Sequence, residues 1–375
     1  MTGIFKSIKF KVNSRLTDAQ KAFLRLLYNI IKTPGDFMRH LNKFNYDRNV
    51  LRKVEVNFTP PLFVATITNN CNLRCPTCLY LLENPNKFNA TYIALDKFQE
   101  VLEKYNTQNK AEVIFLSGGE PLLHPQFGQL IDICKKHHFI IKTSTNGILV
   151  KNKIDSLLKL SYVNVSLDSH DYDSYEKYRG GTAEQFDLVM EGLKILREKG
   201  CYFGISYVLS TENLSEVDKM IKLAEEIRPN VVYLHNINPN GCEQYKPLVL
   251  QDRDTKLFLE KISKRTDYPF DLIMSVVFDN DSPLFRQAKC VQPWLLFSFN
   301  EKGDISYCCH LSHDVNIGNA FAGYNFNSPK MVGFRKDIIG GRIPKSCLYC
   351  QRRFMGKEFG HFDSRAGKWF IFGNC

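Results

Sequence analysis

From residue 63 onward, short runs of β-branched and aromatic residues alternate with longer segments whose apolar positions recur every three or four residues. The short runs are FVATIT (63–68), EVIFLS (112–117), FIIKTST (139–145), YVNVSLD (162–168), YFGISYVL (202–209) and VVYLHNI (231–237). Between them, ALDKFQEVLEKY, FGQLIDICKKH, AEQFDLVMEGLKILREKG and LSEVDKMIKLAEEI keep the helical period. Such alternation builds parallel strands joined by helical crossovers. After residue 237 the pattern breaks at NPNGCEQYKP, two units short of a closed eight-fold barrel. The pattern therefore predicts an α/β fold, a partial (β/α)6 TIM-like barrel over residues 61–285, with the helical stretch TKLFLEKISKR late in it. A small cysteine-rich domain is expected over residues 286–375.

Ahead of the barrel, Leu16, Ala19, Phe23, Leu27, Ile30 and Ile31 recur at helical spacing, while Lys21, Arg25 and Lys32 fall on the opposite face. Most of the formal net charge of +11 lies here, since residues 1–53 hold twelve Lys and Arg against Asp18, Asp36 and Asp47, a net +9. Residues 1–60 thus read as a basic amphipathic extension. Its apolar face has two uses: docking on the barrel wall, or peripheral contact of residues 1–53 with an anionic membrane or an acidic substrate. No segment resembles a nucleic-acid-binding motif, so no nucleic acid partner is expected. No apolar run approaches the roughly 18 residues of a spanning helix, and MTGIFKSIKFKV lacks the unbroken apolar stretch of a signal peptide. The expectation is a cytoplasmic protein, with membrane association through its basic extension as the option. With 375 residues and 44% hydrophobic composition, the chain is long enough to bury a large core.

Twelve cysteines without a secretory signal read as thiolates for metal rather than as a disulfide framework. Three of them, Cys71, Cys75 and Cys78, crowd into TNNCNLRCPTCLY just past the first strand. A closed zinc site takes four protein ligands, so a trio leaves one position open unless a distant fourth completes it. The spacing also lets one loop present three thiolates to three irons of a cubane, leaving the fourth iron free. In parallel barrels the loops after the strands build the active site. Further motifs lie at strand ends: SGGEP with Gly118, Gly119 and Glu120, STNG with Asn146, SLD with Ser166 and Asp168, then YRGG with Arg179. The glycine pair allows close backbone approach to a ligand, and the Glu120 carboxylate can accept from an ammonium group.

From about Thr66 onward these motifs resemble those of radical S-adenosylmethionine (radical SAM) enzymes. One departure is Tyr80, two residues past the third cysteine where the family usually has its aromatic residue one before. The resemblance implies a 4Fe-4S cluster on Cys71, Cys75 and Cys78 whose free iron binds S-adenosyl-L-methionine. An electron then cleaves the sulfonium, giving a 5′-deoxyadenosyl radical that takes a hydrogen atom from a substrate. It implies Gly118, Gly119 and Glu120 at the methionine amino group, and Asn146, Ser166, Asp168 and Arg179 at the ribose, the carboxylate or the substrate. Each of these residues has a capping or turn role as its alternative. His235, with Asn236, would meet the adenine edge or serve as a structural histidine. A flavodoxin- or ferredoxin-type electron donor is implied as well.

The thiol question returns near the C-terminus. Cys290 precedes Gly303 by twelve intervening residues, Gly303 precedes Cys308 by four, and Cys347 and Cys350 form CxxC. Four thiolates close a zinc site or a 4Fe-4S cluster. The pattern resembles the SPASM/twitch extension of radical SAM enzymes, and because QRRFMGKEFGHF supplies no further cysteine, the twitch form with one auxiliary 4Fe-4S cluster matches better. Cys309 competes with Cys308 as ligand, and Cys375 reads as a stray thiol. A cluster closed by four protein ligands has no iron open to substrate, so its expected work is to accept an electron. The expected reaction is therefore a two-electron oxidation, a dehydrogenation or oxidative bond formation on a small-molecule or lipid-like substrate. Three alternatives stand beside it. A peptide maturase would need a leader-binding domain with three strands, which residues 1–60 lack. Redox-neutral adenosylation, methylation or epimerisation is the second. A non-catalytic iron-sulfur protein, the third, would leave the strand-end motifs without a purpose.

Overall fold

The structure, a computed structural model, describes residues 18–78, 90–238, 243–250, 258, 259, 262, 265, 267–275, 290–309, 316–342, 344, 347, 350, 361–363 and 368–370. Tyr80, Cys375 and most of TKLFLEKISKR lie outside them. All six expected strands form: β1 Leu62–Thr68, β2 Val113–Gly118, β3 Ile140–Thr145, β4 Tyr162–Ser166, β5 Phe203–Leu209 and β6 Val231–Asn236. Each lies parallel to the next. Two more parallel strands flank them, β7 Asp271–Ser275 beside β6 and β8 Leu296–Phe299 beside β1. Strands β9 Asp304–Ser306 and β10 Gly318–Asn319 continue antiparallel from β8, which leaves an open sheet with β7 and β10 at its edges. A separate hairpin pairs β11 His361–Asp363 with β12 Lys368–Phe370. The boundary expected at 285/286 falls outside the described residues. The first strand described beyond it, β8, joins the barrel sheet.

Two helices precede the sheet, α1 Asp18–Lys32 and α2 Phe37–Asn49. The crossovers then carry α3 Leu95–Tyr105, α4 Phe127–Lys136, α5 Val150–Leu157, α6 Tyr172–Arg179, α7 Ala183–Glu198 and α8 Val217–Ile227, and α9 Pro329–Ile339 follows β10. Local chemistry sets several ends. Asp171 and Ser174 form a capping box that starts α6, Gly180 ends it in the left-handed region at φ +63°, and Thr182 with Gln185 starts α7 two residues later. This tight helix-turn-helix fixes Arg179 as the last residue of α6.

Side chains alternate across the strands and so divide the core. Phe63, Ala65 and Ile67 of β1, Ile114 and Leu116 of β2, and Val163 and Val165 of β4 face the helices and join one large apolar cluster with Phe98, Leu130 and Leu193. On the other face, Val64, Val113 and Phe115 pack with Tyr46, Val56, Phe58, Trp294 and Ile338. The second cluster therefore joins the N-terminal extension and the C-terminal region to the inside of the sheet. Polar bonds reinforce the join. The buried Arg335 donates to the carbonyls of Pro293 at 2.9 Å, Phe326 at 2.9 Å and Val54 at 3.1 Å, and the Trp294 indole donates to Lys53 O at 2.7 Å.

The structure also adds to the expected single helix of the extension. Its partner α2 carries few apolar residues and is held by Asn42, which exchanges 2.8 Å hydrogen bonds with the Thr59 backbone. Helix α1 packs on α2 and leaves Phe23, Leu24, Leu27, Tyr28 and Ile31 exposed. No helix among the described residues is long and apolar enough to cross a membrane.

Candidate active site

The loop carrying Cys71, Cys75 and Cys78 leaves the C-terminal end of β1 and is held by the ends of its neighbours. Gly119 N donates to Thr68 O at 3.0 Å, and Glu120 N to Asn70 O at 2.7 Å. A Cβ on Gly118, whose φ is +148°, would stand 2.2 Å from Thr68 O, and one on Gly119 would stand 2.4 Å from Asn70 O. These glycines thus permit close approach to the cysteine loop itself. From β3 the Asn146 side-chain amide donates to Asn72 Oδ1 at 2.7 Å. Gly180 is pressed against the same loop, since a Cβ there would come within 2.7 Å of Arg74 O. Arg74 in turn donates to Cys71 O at 2.8 Å, and Tyr245 donates to Pro76 O at 2.9 Å.

Gly119→Ala gives a direct check of this knitting. The clash is with backbone, so the loop must shift; the expected cost is about 1–3 kcal/mol of stability with lowered iron content after reconstitution. Unfolding midpoint and iron assay read both, and a variant unchanged in each would mean that the loop does not depend on β2.

All three thiols are free and half-buried. The Cys71 thiol is pushed up to about 12, first by burial, then by Glu120, Cys75 and Cys78, while the Leu73 N–H works against them. Burial also raises Cys75, with the Arg179 guanidinium as the main opposing influence. Three sulfurs that feel one another's charge in a half-buried loop resist becoming thiolates together. A cationic iron-sulfur core would relieve this, so the donor set fits one. No three Cys, His, Asp or Glu side chains among the described residues are grouped as for a single metal ion.

Around this loop the expected residues take distinct positions. Glu120 is buried, and its carboxylate accepts from Leu122 N at 3.0 Å, Thr145 Oγ1 at 2.7 Å and Asn146 N at 2.7 Å. Three of its roughly four lone-pair sites are therefore filled by the protein, where an ammonium ligand was expected. Burial raises its pKa, with these three donors opposing. The Arg179 guanidinium pairs with Asp168 Oδ2 at 2.9 Å, and Asp168 Oδ1 accepts from Val208 N at 2.6 Å. Asp168 adopts φ +55°, a conformation costly for a residue with a Cβ and here held by those two bonds. Asn236 exchanges two 3.0 Å hydrogen bonds with the Leu250 backbone. His235 lies flat against Tyr233, with ring centroids 5.6 Å apart and planes 5° apart.

Ser166 opens onto residues that were not singled out. Asn164 donates to Ser144 and Ser206, each at 3.0 Å, and the Ser166 hydroxyl lies 3.4 Å from Ser144 and 3.5 Å from Ser206. Lys142 lies two residues before Ser144 on the same face. Burial lowers its pKa to about 7 while Glu112 opposes, and its ammonium is 5.9 Å from the Tyr162 ring. The inner face from β3 to β6 is therefore polar. The signal was available in the sequence: Tyr162–Asn164–Ser166 and Tyr233–His235 alternate with apolar residues, and Lys142 and Ser144 are polar as well, in strands that a dry parallel sheet would fill with apolar side chains on both faces.

The C-terminal thiols gather as a second set. Burial pushes the Cys290 thiol well up, and the charges of Cys308, Cys350 and Cys347 push the same way. The β8–β9 hairpin explains the spacing, because it returns the chain so that Cys290 before it and Cys308 after it share one end. Gly303 forms its turn at φ +81°, where a Cβ would stand 2.8 Å from the Phe321 ring. Of the adjacent pair, Cys308 is the one whose charge acts on Cys290, whereas Cys309 is disulfide-bonded. Cys290 and Cys308 pack on the inner apolar cluster, Cys71 and Cys75 on the helix-side one. Four mutually repelling thiols again fit a cationic cluster core.

Residues 65–224 match the family profile described as the Radical SAM superfamily. The chain is 24% identical over 284 residues to the antilisterial bacteriocin subtilosin biosynthesis protein AlbA of Bacillus subtilis, covering 72% of this chain and 61% of that protein. It is 25% identical over 240 residues to the Fe-coproporphyrin III synthase of Methanosarcina barkeri, covering 63% and 53%. It thus spans between about half and three-fifths of these relatives' length. Among solved structures, Streptococcus suis SuiB bound to precursor peptide SuiA superposes with a TM-score of 0.60 at 17% identity, covering 84% of this chain and 73% of that one. At that identity the likeness is one of fold.

Proposed function

Residues 65–224 belong to the radical SAM superfamily, and from that premise we propose that the protein performs a two-electron oxidation on a peptide substrate, forming a bond or a desaturated position. The observation that carries the reading is the presence of two separate sets of thiols, three at the barrel rim and four around Cys290. When bound, a rim cluster with S-adenosylmethionine would supply a radical able to take a hydrogen atom, and an auxiliary cluster on the four thiols would supply a one-electron acceptor. The rim cluster would be held by Cys71, Cys75 and Cys78, and a flavodoxin- or ferredoxin-type protein would be its electron donor.

The chain's own residues position and shield. Arg179 holds a positive charge beside Cys75, and Asp168 orients Arg179 through one oxygen while fixing β5 through the other. Glu120 ties the end of β3 to that of β2, and so keeps Asn146 against the cysteine loop. Asn146, Ser166 and His235 remain the candidates for contact with S-adenosylmethionine. The polar face of Ser144, Asn164, Ser166 and Ser206 offers hydroxyl and amide groups able to bind a polar backbone.

A peptide is preferred to the small-molecule or lipid-like substrate first expected because a bacteriocin-biosynthesis protein is among the relatives, and SuiB, with its precursor peptide, among the similar folds. The leader-binding objection keeps its force, since residues 18–61 hold helices α1 and α2 and no described strand. A peptide would therefore be taken at the open side of the sheet. A small-molecule oxidation is the second reading, favoured by the resemblance to Fe-coproporphyrin III synthase.

The test is mass spectrometry of cell extract, split into peptide and small-molecule fractions, after incubation with the reduced, reconstituted enzyme and S-adenosylmethionine. The expected result is a peptide lighter by two hydrogens. A shifted feature confined to the small-molecule fraction would transfer the proposal to the second reading, and a gain of adenosyl or methyl mass would end the oxidative one.

A further inference from the structure

We propose that α1 is an interfacial helix that seats the protein on an anionic lipid surface. The inference is independent of the reaction assigned above. Helix α1 packs on α2 with Leu26 and Ile30 half-buried, but the adjacent stripe is in water: Phe23 is 51% exposed, Tyr28 57% and Ile31 80%, with Leu24 and Leu27 beside them. Single exposed apolar residues are ordinary, whereas five large ones along one helix of ~22 Å form a contiguous patch of the kind that marks a docking surface.

Charge identifies what docks. In the sequence, Lys21, Arg25 and Lys32 share one side of the helical pattern, and residues 1–53 carry a net +9 of the chain's +11. An apolar stripe accompanied by lysine and arginine suits the boundary between acyl chains and headgroups. There the apolar side chains enter the hydrocarbon and the cations meet lipid phosphates. A protein partner would be expected to cover the stripe without needing the surplus charge. The contact is peripheral, since no described helix can cross the bilayer.

The experiment is flotation of the full-length holoenzyme with vesicles of phosphatidylcholine alone, or with about one third phosphatidylglycerol, at about 0.1 M and about 1 M salt. Binding to the anionic vesicles at low salt, with release at high salt, is expected. Phe23→Glu combined with Ile31→Glu should lower partitioning by about tenfold or more, and so should Lys21→Glu combined with Lys32→Glu. Both positions of the first pair are exposed, so circular dichroism and 5′-deoxyadenosine formation without lipid should match the parent protein and separate lost docking from lost folding. Equal flotation with neutral vesicles, or undiminished flotation of the first double variant, would overturn the proposal. A lipid-free dimer that the same variant dissociates would overturn it too, by assigning the stripe to a second copy of the chain.

Discussion

Replacing Cys71, Cys75 and Cys78 together by alanine is expected to reduce S-adenosylmethionine cleavage to background and to lower the iron content from about eight to about four per chain. The three thiols are free and share one loop; Cys75 and Cys78 raise the proton affinity of Cys71, and Cys78 that of Cys75, as they would not if they pointed apart. The fold should survive the change. What pins the loop is backbone bonding to Thr68 and Asn70 and the Asn146–Asn72 pair, none of which uses sulfur. Each lost sulfur is half-buried and costs about 1 kcal/mol at most. Iron and sulfide assay, high-performance liquid chromatography for 5′-deoxyadenosine and circular dichroism read the three parts of the result. Retention of eight irons would mean that the trio does not hold a cluster.

The second large effect concerns Cys347 and Cys350. Changing both to alanine is expected to remove about four irons and to abolish formation of oxidised product, while 5′-deoxyadenosine is still released. The separation follows from the packing: Cys290 and Cys308 of the C-terminal set lean on the inner cluster with Trp294 and Tyr46, whereas Cys71 and Cys75 lean on the helix-side core. A competing outcome has a clear cause. Strand β8 pairs with β1, the strand that feeds the rim loop, so a disturbed C-terminal region could loosen the rim. Cys308→Ser is the gentler variant that distinguishes the two. If it too loses 5′-deoxyadenosine while keeping the native circular dichroism, the second thiol set serves the sheet and the oxidative reading fails.

The barrel was legible in the sequence because its strands are short, β-branched and separated by helices of clear period. Strands β7 and β8 were not, for different reasons. DLIMS has only five residues, and LLFSF sits inside a segment whose cysteines drew the reading toward a separate domain. Helix α2 escaped because hydrogen bonds from Asn42 and the single buried ring of Tyr46, rather than a regular apolar stripe, dock it. At the site, residue type and position were readable, but direction was not. Glu120 and the Gly118–Gly119 pair stand at the expected strand end, yet the partners of that carboxylate are Leu122, Thr145 and Asn146, and the glycines meet the Thr68 and Asn70 carbonyls. Linear spacing carries no information on which way a side chain turns. The polar inner face had a signal in the alternation of β3 and β4, which a reading for strand propensity alone passes over.

The central claim is that the loop from Cys71 to Cys78, set at the rim by β2 and β3, supports radical cleavage of S-adenosylmethionine. The most direct test is anaerobic reconstitution of the full chain, reduction with dithionite, and measurement of 5′-deoxyadenosine and methionine after incubation with S-adenosylmethionine. Formation of the two in equal amounts, lost in the Cys71/Cys75/Cys78 variant, is the predicted result. A protein that holds its full complement of iron and sulfide, is reduced by spectroscopic measure, and releases no 5′-deoxyadenosine would contradict it.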